Sequence, residues 1–159
     1  MALRVYSNPM ALDFIIVSHQ ATADQIEQWE AMTGHAWDHE SCALGMIQTN
    51  GPKWVIKTLD HRPIAVAGYH QERPGVFRDF LISNEEAWAD GNWQALTRHA
   101  RKAMNAMLNN GAHRLECVSL SSRTKAHRWY AALGMKAEGT LHGYCASGED
   151  AIMFARVRG

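Results

Sequence analysis

From Arg114 to Val157 the hydrophobic pattern changes period repeatedly, and few folds accommodate the result. Arg114 to Leu120 reads as a strand. Ala126, Tyr130 and Leu133 then fall on one face of a helix spanning Thr124 to Leu133, because residues three and four apart stack on a helix surface. Gly134 permits the left-handed turn that ends such a helix, and Met135 opens a second strand running to Leu141. Ala151 to Val157 is the last strand of this strand–helix–strand–strand unit.

The chain before it supplies a meander and a long helix. Leu12 to Val17, a short apolar run rich in β-branched residues, reads as a strand ended by Ser18 and His19. Thr22 or Asp24 caps an amphipathic helix carrying Ile26, Trp29 and Met32, with Gly34 as its stop. Trp54 and Ile56, a turn at Asp60 and His61, then Ile64, Val66 and Gly68 make a hairpin. After Arg73, Pro74 and Gly75, the run Val76 to Ser83 alternates Phe77, Asp79 and Leu81 with Arg78, Phe80 and Ile82, as a third meander strand does. Asn84 to Gly91 is polar and turn-like. Leu96, Ala100, Ala103, Met104, Met107 and Leu108 recur at helical spacing up to a stop at Asn109, Asn110 and Gly111. No repeat or Pro/Ser-rich linker divides residues 1–159, so one domain with a mixed α/β sheet is expected.

Composition excludes several function classes. Sixteen basic residues balance sixteen acidic ones, which leaves no global field to draw the chain onto nucleic acid or anionic lipid. The N-terminus lacks a signal-peptide pattern, and nothing approaches the ~18 continuous apolar residues of a membrane span. Cys42, Cys117 and Cys145 have no close spacing, so reduced thiols and a cytoplasmic location are expected instead of disulfides or a zinc site. His35 and His39 are separated by the wrong backbone for a helical metal pair, since Gly34 precedes them, and read as a surface loop. Trp29, Trp37, Trp54, Trp88, Trp93 and Trp129 are expected in core and rim packing, against a stacking surface as the alternative.

The segment A-x-x-x-Y-x-x-L-G-M at Ala126 to Met135, with Glu138–Gly139 after it and Gly148 to Met153 in the tail, resembles the closing part of GNAT acyltransferases. That resemblance covers about a third of the chain and implies an acyl-CoA N-acyltransferase fold, an antiparallel meander, then a long helix, then βαββ. It further implies acetyl-CoA as cofactor, held in a V-shaped gap between the fourth and fifth strands, and an amine as acceptor. By the same resemblance Tyr130 is the acid that protonates the departing thiolate. Gly91, Asn92 and Trp93 stand at the pyrophosphate loop, Ile82 on the strand before it, and Arg123 where the family often carries an Asn contacting the cofactor.

This sequence departs from the family in that loop. The signature Q/R-x-x-G-x-G/A falls on Trp88 to Trp93, where only Gly91 survives and Asp90 adds a negative charge. Such loops work by offering unblocked backbone N–H groups and a helix dipole to phosphate oxygens. For the base that takes the ammonium proton, Asp79 and His70 lie on strands bordering the expected gap, and Glu116 lies on the fifth strand. His70 is the one whose ordinary titration falls near neutrality.

A second reading follows from the same residues. The Pro63 to Gly68 run P-I-A-V-A-G, the polar loop and R-W-Y-A-A-L-G-M at Arg128 to Met135 resemble GNAT-like proteins encoded by tailed bacteriophages, some of them internal virion proteins. This implies a structural or interaction role, with a filled strand gap and Trp93 inside it. Whether an exposed edge strand pairs with a second copy as a homodimer stays open.

Overall fold

The computed structural model describes residues 2–159. Seven strands form one sheet: β1 (Arg4–Tyr6), β2 (Lys53–Lys57), β3 (Pro63–Arg73), β4 (Val76–Ser83), β5 (Arg114–Leu120), β6 (Lys136–Leu141) and β7 (Ala151–Val157). Their order across the sheet is β1-β2-β3-β4-β5-β7-β6, antiparallel everywhere except at β4–β5. The helices are α1 (Ala11–His19), α2 (Ala23–Thr33), α3 (His39–Ile47), α4 (Asn92–Asn109) and α5 (Thr124–Ala132), with a short 3₁₀ turn at Glu85–Trp88. The meander, long helix and βαββ stand in the expected order. β4 and β5 run parallel because α4 carries the chain back across the sheet between them.

The sheet divides the helices by face. Tyr69, Met104, Leu108, Leu115, Cys117, Tyr130 and Phe154 form the core on the α4–α5 side. Phe14, Val17, Cys42, Met46, Val66 and Ile82 form the core under α1 and α3 on the other side. Alternation along β4 decides which side chain goes where: Phe77 packs on the first side, Phe80 and Ile82 on the second.

Two local expectations need correction. Leu12 to Val17 is the body of helix α1, not a strand. Phe14, Val17 and Ser18 are buried at helical spacing while Leu12 and Ile15 face outward, so packing on the sheet outweighs β-branched propensity. The Asp13 carboxylate accepts the Met10 N–H at 2.8 Å and so caps the helix start. The second correction concerns His39, which opens α3 instead of sitting in a loop, with Asp38 as its cap. Its ring lies edge-on to His19, centroids 4.7 Å apart, while His35 stays in an exposed loop. Arg4–Tyr6 also pairs with β2 as an edge strand. Thr22 caps α2 as expected, accepting the Gln25 N–H, and Gly34 ends it in the left-handed conformation.

Gly68 shows how closely the layers meet. A Cβ there would come within 2.6 Å of the Pro52 carbonyl and 2.5 Å of the Phe80 ring. Gly68→Ala is therefore expected to cost about 2 kcal/mol, since overpacking a fixed backbone contact typically costs ~1–3 kcal/mol. Chemical denaturation checks it; a midpoint equal to the parent's would show that β2 and β3 can separate.

Candidate active site in the split between two strands

β4 and β5 pair only at Val76–Arg114, Phe77–Leu115 and Arg78–Glu116. Beyond these residues the strands diverge, and a cavity of about 1000 Å³ opens between them. It is lined on β4 by Asp79 to Ile82, on β5 by Cys117 and Val118, and continues to α2 and α3 on one side and α5 on the other. A second cavity of about 480 Å³ lies under α4 and shares Asp79, Phe80, Leu81 and Trp129 with the first. Asp79 thus stands where the two meet.

The chemistry of the cavity gathers around Asp79 and Tyr130. Burial pushes the Asp79 carboxyl from its ordinary 3.8 up to about 7, against the opposing pull of a Cys117 hydrogen bond and the charges of Arg123 and Arg78. Burial likewise holds the Tyr130 phenol well above its ordinary value, helped by Cys117. Arg123 donates to the Tyr130 oxygen at 3.3 Å, which leaves the phenol's own proton free to point elsewhere. Cys117 lies between the two groups on β5, and burial raises its thiol as well. At neutral pH the site therefore holds a carboxyl near its midpoint, a protonated phenol and a protonated thiol.

The other expected residues fall in distinct places. His70 accepts the Asn50 N–H on Nδ1 at 3.0 Å and does not line either cavity. Glu116 is buried between Arg78 (2.9 Å) and Arg114 (2.7 Å), at the closed end of the strand pair. Arg123 is 9% exposed and bonds Asp24 at 2.8 Å and Gln28 at 2.8 Å besides Tyr130. Its guanidinium is part of the wall. Ile82 lines the cavity with its side chain. Its backbone faces β3, because the neighbouring Ser83 N–H and C=O point the other way, to Gln25 and Thr22.

The loop after β4 is organised differently from the phosphate site that the sequence resemblance implies. Gly91 N–H donates to the Gln94 side chain at 2.8 Å, and the Asn92 and Trp93 N–H groups both donate to the Ala89 carbonyl. Gln94 in turn donates to the Asp90 carboxylate at 3.1 Å. The residues Ala89 to Trp93 do not line the cavity. The loop therefore does not fit a pyrophosphate. Trp93 is 42% exposed, so the expectation that it fills the gap is overturned. Trp88 lines the cavity with Trp29 and Trp129, and lies edge-on to Trp129 of α5 with centroids 5.1 Å apart. Trp29 with Trp37 and Trp54 with Tyr69 form separate pairs, which is packing and not one stacking surface.

Sequence reasoning missed Cys117, Asp24, Gln28 and the Trp88–Trp129 pair as parts of one site. Two signals were available: Cys117 shares its strand face with buried Leu115, and Asp24 and Gln28 are four apart on α2. Among the described residues no group of three His, Cys, Asp or Glu is placed to hold a metal ion, and no helix is long and apolar enough to cross a membrane.

No protein-family model matches the sequence, and no curated protein matches it. Solved structures do. The ribosomal-protein-S18-alanine N-acetyltransferase from Escherichia coli is 16% identical, with 99% of this chain and 95% of that chain covered at a TM-score of 0.71. A spermidine N-acetyltransferase mutant from Vibrio cholerae is 13% identical, with 98% and 94% covered at 0.70. A GNAT-family acetyltransferase from Bacillus anthracis is 12% identical, with 99% and 96% covered at 0.68. The chain has the fold of the GNAT acetyltransferases.

Proposed function

We propose that this chain transfers an acyl group from a thioester to an amine, with both reactants meeting in the split between β4 and β5. The observation that carries the reading is that Asp79 and Tyr130 line the same cavity at the point where the strands part. Acyl transfer to an ammonium needs one group to take its proton and another to protonate the leaving thiolate. Asp79, poised near 7, suits the first task, and Tyr130, held protonated, suits the second. The amine enters from the side of α2 and α3, past Asp24, Gln28 and Trp29, so that its nitrogen reaches Asp79. Its lone pair then attacks the thioester carbonyl directly and the C–S bond breaks; the sulfur takes the Tyr130 proton, and the second proton that the nitrogen sheds as the amide forms returns to the phenolate. Arg123 keeps the phenol oriented through the 3.3 Å bond to its oxygen.

The self-bonded loop at Gly91 to Gln94 supports a second reading, a GNAT-like protein that has kept the fold for a structural or interaction role, as the likeness to phage proteins implies. One experiment separates the two. The purified chain is incubated with acetyl thioesters and a panel of primary amines, and acetylated products are sought by mass spectrometry. Transfer that disappears on Asp79→Asn supports the enzyme. Absence of both transfer and thioester binding at about millimolar ligand, where even a weak ~4 kcal/mol site is half filled, sinks it and leaves the interaction role.

A further inference from the structure

The two halves of the donor site disagree with each other, and the disagreement identifies the donor. On the inner half, the β4 edge facing the gap is open. Ser83 gives its N–H and C=O to Gln25 and Thr22, but Leu81, two residues back on the same edge, lies beyond the last β4–β5 pair. Its amide and carbonyl are aimed at the cavity that it lines. An extended arm carrying amides can continue a strand ladder there, as peptides do on open sheet edges.

On the outer half the loop after β4 turns a diphosphate away, while Ser122, Thr124 and Lys125 at the start of α5 also line the cavity. A helix N-terminus binds phosphate through free N–H groups. Here those of Gly91, Asn92 and Trp93 are bonded to Gln94 and Ala89. The side chain that closes the loop is anchored on a carboxylate, Asp90. Glu85 lines the cavity as well. Arg123, the one arginine lining the cavity, is held by Asp24 and Gln28. Trp88 and Trp129 meet edge-on across this end.

We infer that the donor is an acyl thioester of pantetheine recognised through its amide-bearing arm alone, the nucleotide diphosphate of acyl-CoA contributing nothing to binding. This inference rests on the acyltransferase reading above. The chemistry is unchanged by it, since the thioester, the amine and the departing thiol are the same atoms.

The test measures binding of S-acetyl-pantetheine and acetyl-CoA to the full chain in parallel, by calorimetry. Dissociation constants within about 3-fold of each other are expected, because the Gly91, Asn92 and Trp93 N–H groups are already bonded and a phosphate gains little by displacing their partners. Acetyl-CoA binding about 30-fold tighter or more overturns the inference while leaving the acyltransferase reading intact. Failure of both ligands to bind overturns both. A second comparison uses the double variant Asp90→Lys with Gln94→Ala, which frees the Gly91 N–H and reverses the local charge. It is expected to tighten acetyl-CoA about 10-fold through charge-assisted bonds to the helix start, with acetyl-pantetheine unmoved. Equal changes for both ligands would show that the loop never distinguished them.

Discussion

Asp79→Asn is expected to lower kcat for acyl transfer by about 100-fold or more, the usual contribution of a positioned proton acceptor, and to remove the rising limb of the pH–rate profile. The carboxyl lies at the bottom of the split, where burial lifts it from 3.8 to about 7 despite the Cys117 hydrogen bond and the charges of Arg123 and Arg78. A base must be ionised to work, so the parent's rate climbs as pH passes through about 7. The asparagine keeps the shape and one acceptor oxygen but takes no proton. Stability moves the other way. Because the folded value lies above the ordinary one, the stability attached to the neutral carboxyl is present at low pH and is lost as pH rises through about 7. Asp79→Asn therefore flattens that decline, and thermal melts at about pH 5 and pH 9 should differ less in the variant than in the parent. An unaltered pH profile in the variant would remove Asp79 from the reaction.

Nothing local in the sequence marks the place where β4 and β5 part, although Asp79 is placed correctly by simple alternation. Phe77, Asp79 and Leu81 share a strand face whatever the fold, and β4 pairs with β5 only as far as Arg78 and Glu116. The closing βαββ is legible because Tyr130, Leu133 and Gly134 combine a helix face with a left-handed stop, φ +84° at Gly134. Helix α1 is not, since its buried Phe14 and Val17 are embedded in an apolar run whose Leu12 and Ile15 face outward. Helix α3 buries only Cys42, Ala43 and Met46, too small a set to show its period. The web around Arg123 was out of reach for another reason. Its partners Asp24 and Gln28 lie 99 and 95 residues away in the chain, and only the tertiary fold brings them together.

That web bears on the loop as well. An arginine after β5 looks like a phosphate ligand when read alone, and like part of a wall once Asp24 and Gln28 are seen holding it. Likewise Gln94 looks like an ordinary helix residue until its side chain is found on the Gly91 N–H. In both cases a polar group that could have met a ligand is satisfied within the chain, and satisfied groups gain little by exchanging partners.

Tyr130→Phe is expected to lower kcat about 100-fold with an alkyl thioester while leaving KM within about 3-fold, because the hydroxyl acts on the leaving sulfur and not on binding. The phenol is 8% exposed at the inner end of α5, and burial together with Cys117 keeps it protonated across the working range. Arg123 occupies the oxygen's acceptor side at 3.3 Å, so the proton is directed away from it, towards Cys117 and the cavity. A purely structural role predicts something else: loss of one buried hydrogen bond, about 1 kcal/mol of stability, and no dependence on the leaving group. The two are separated by changing the thiol. An aryl thioester departs as a stabilised thiolate that needs no acid, so the variant's deficit should shrink to about 3-fold with it, as Brønsted behaviour requires. A deficit that stays the same for alkyl and aryl thioesters would assign Tyr130 to the core of the α5 helix and leave the leaving sulfur to be protonated by water.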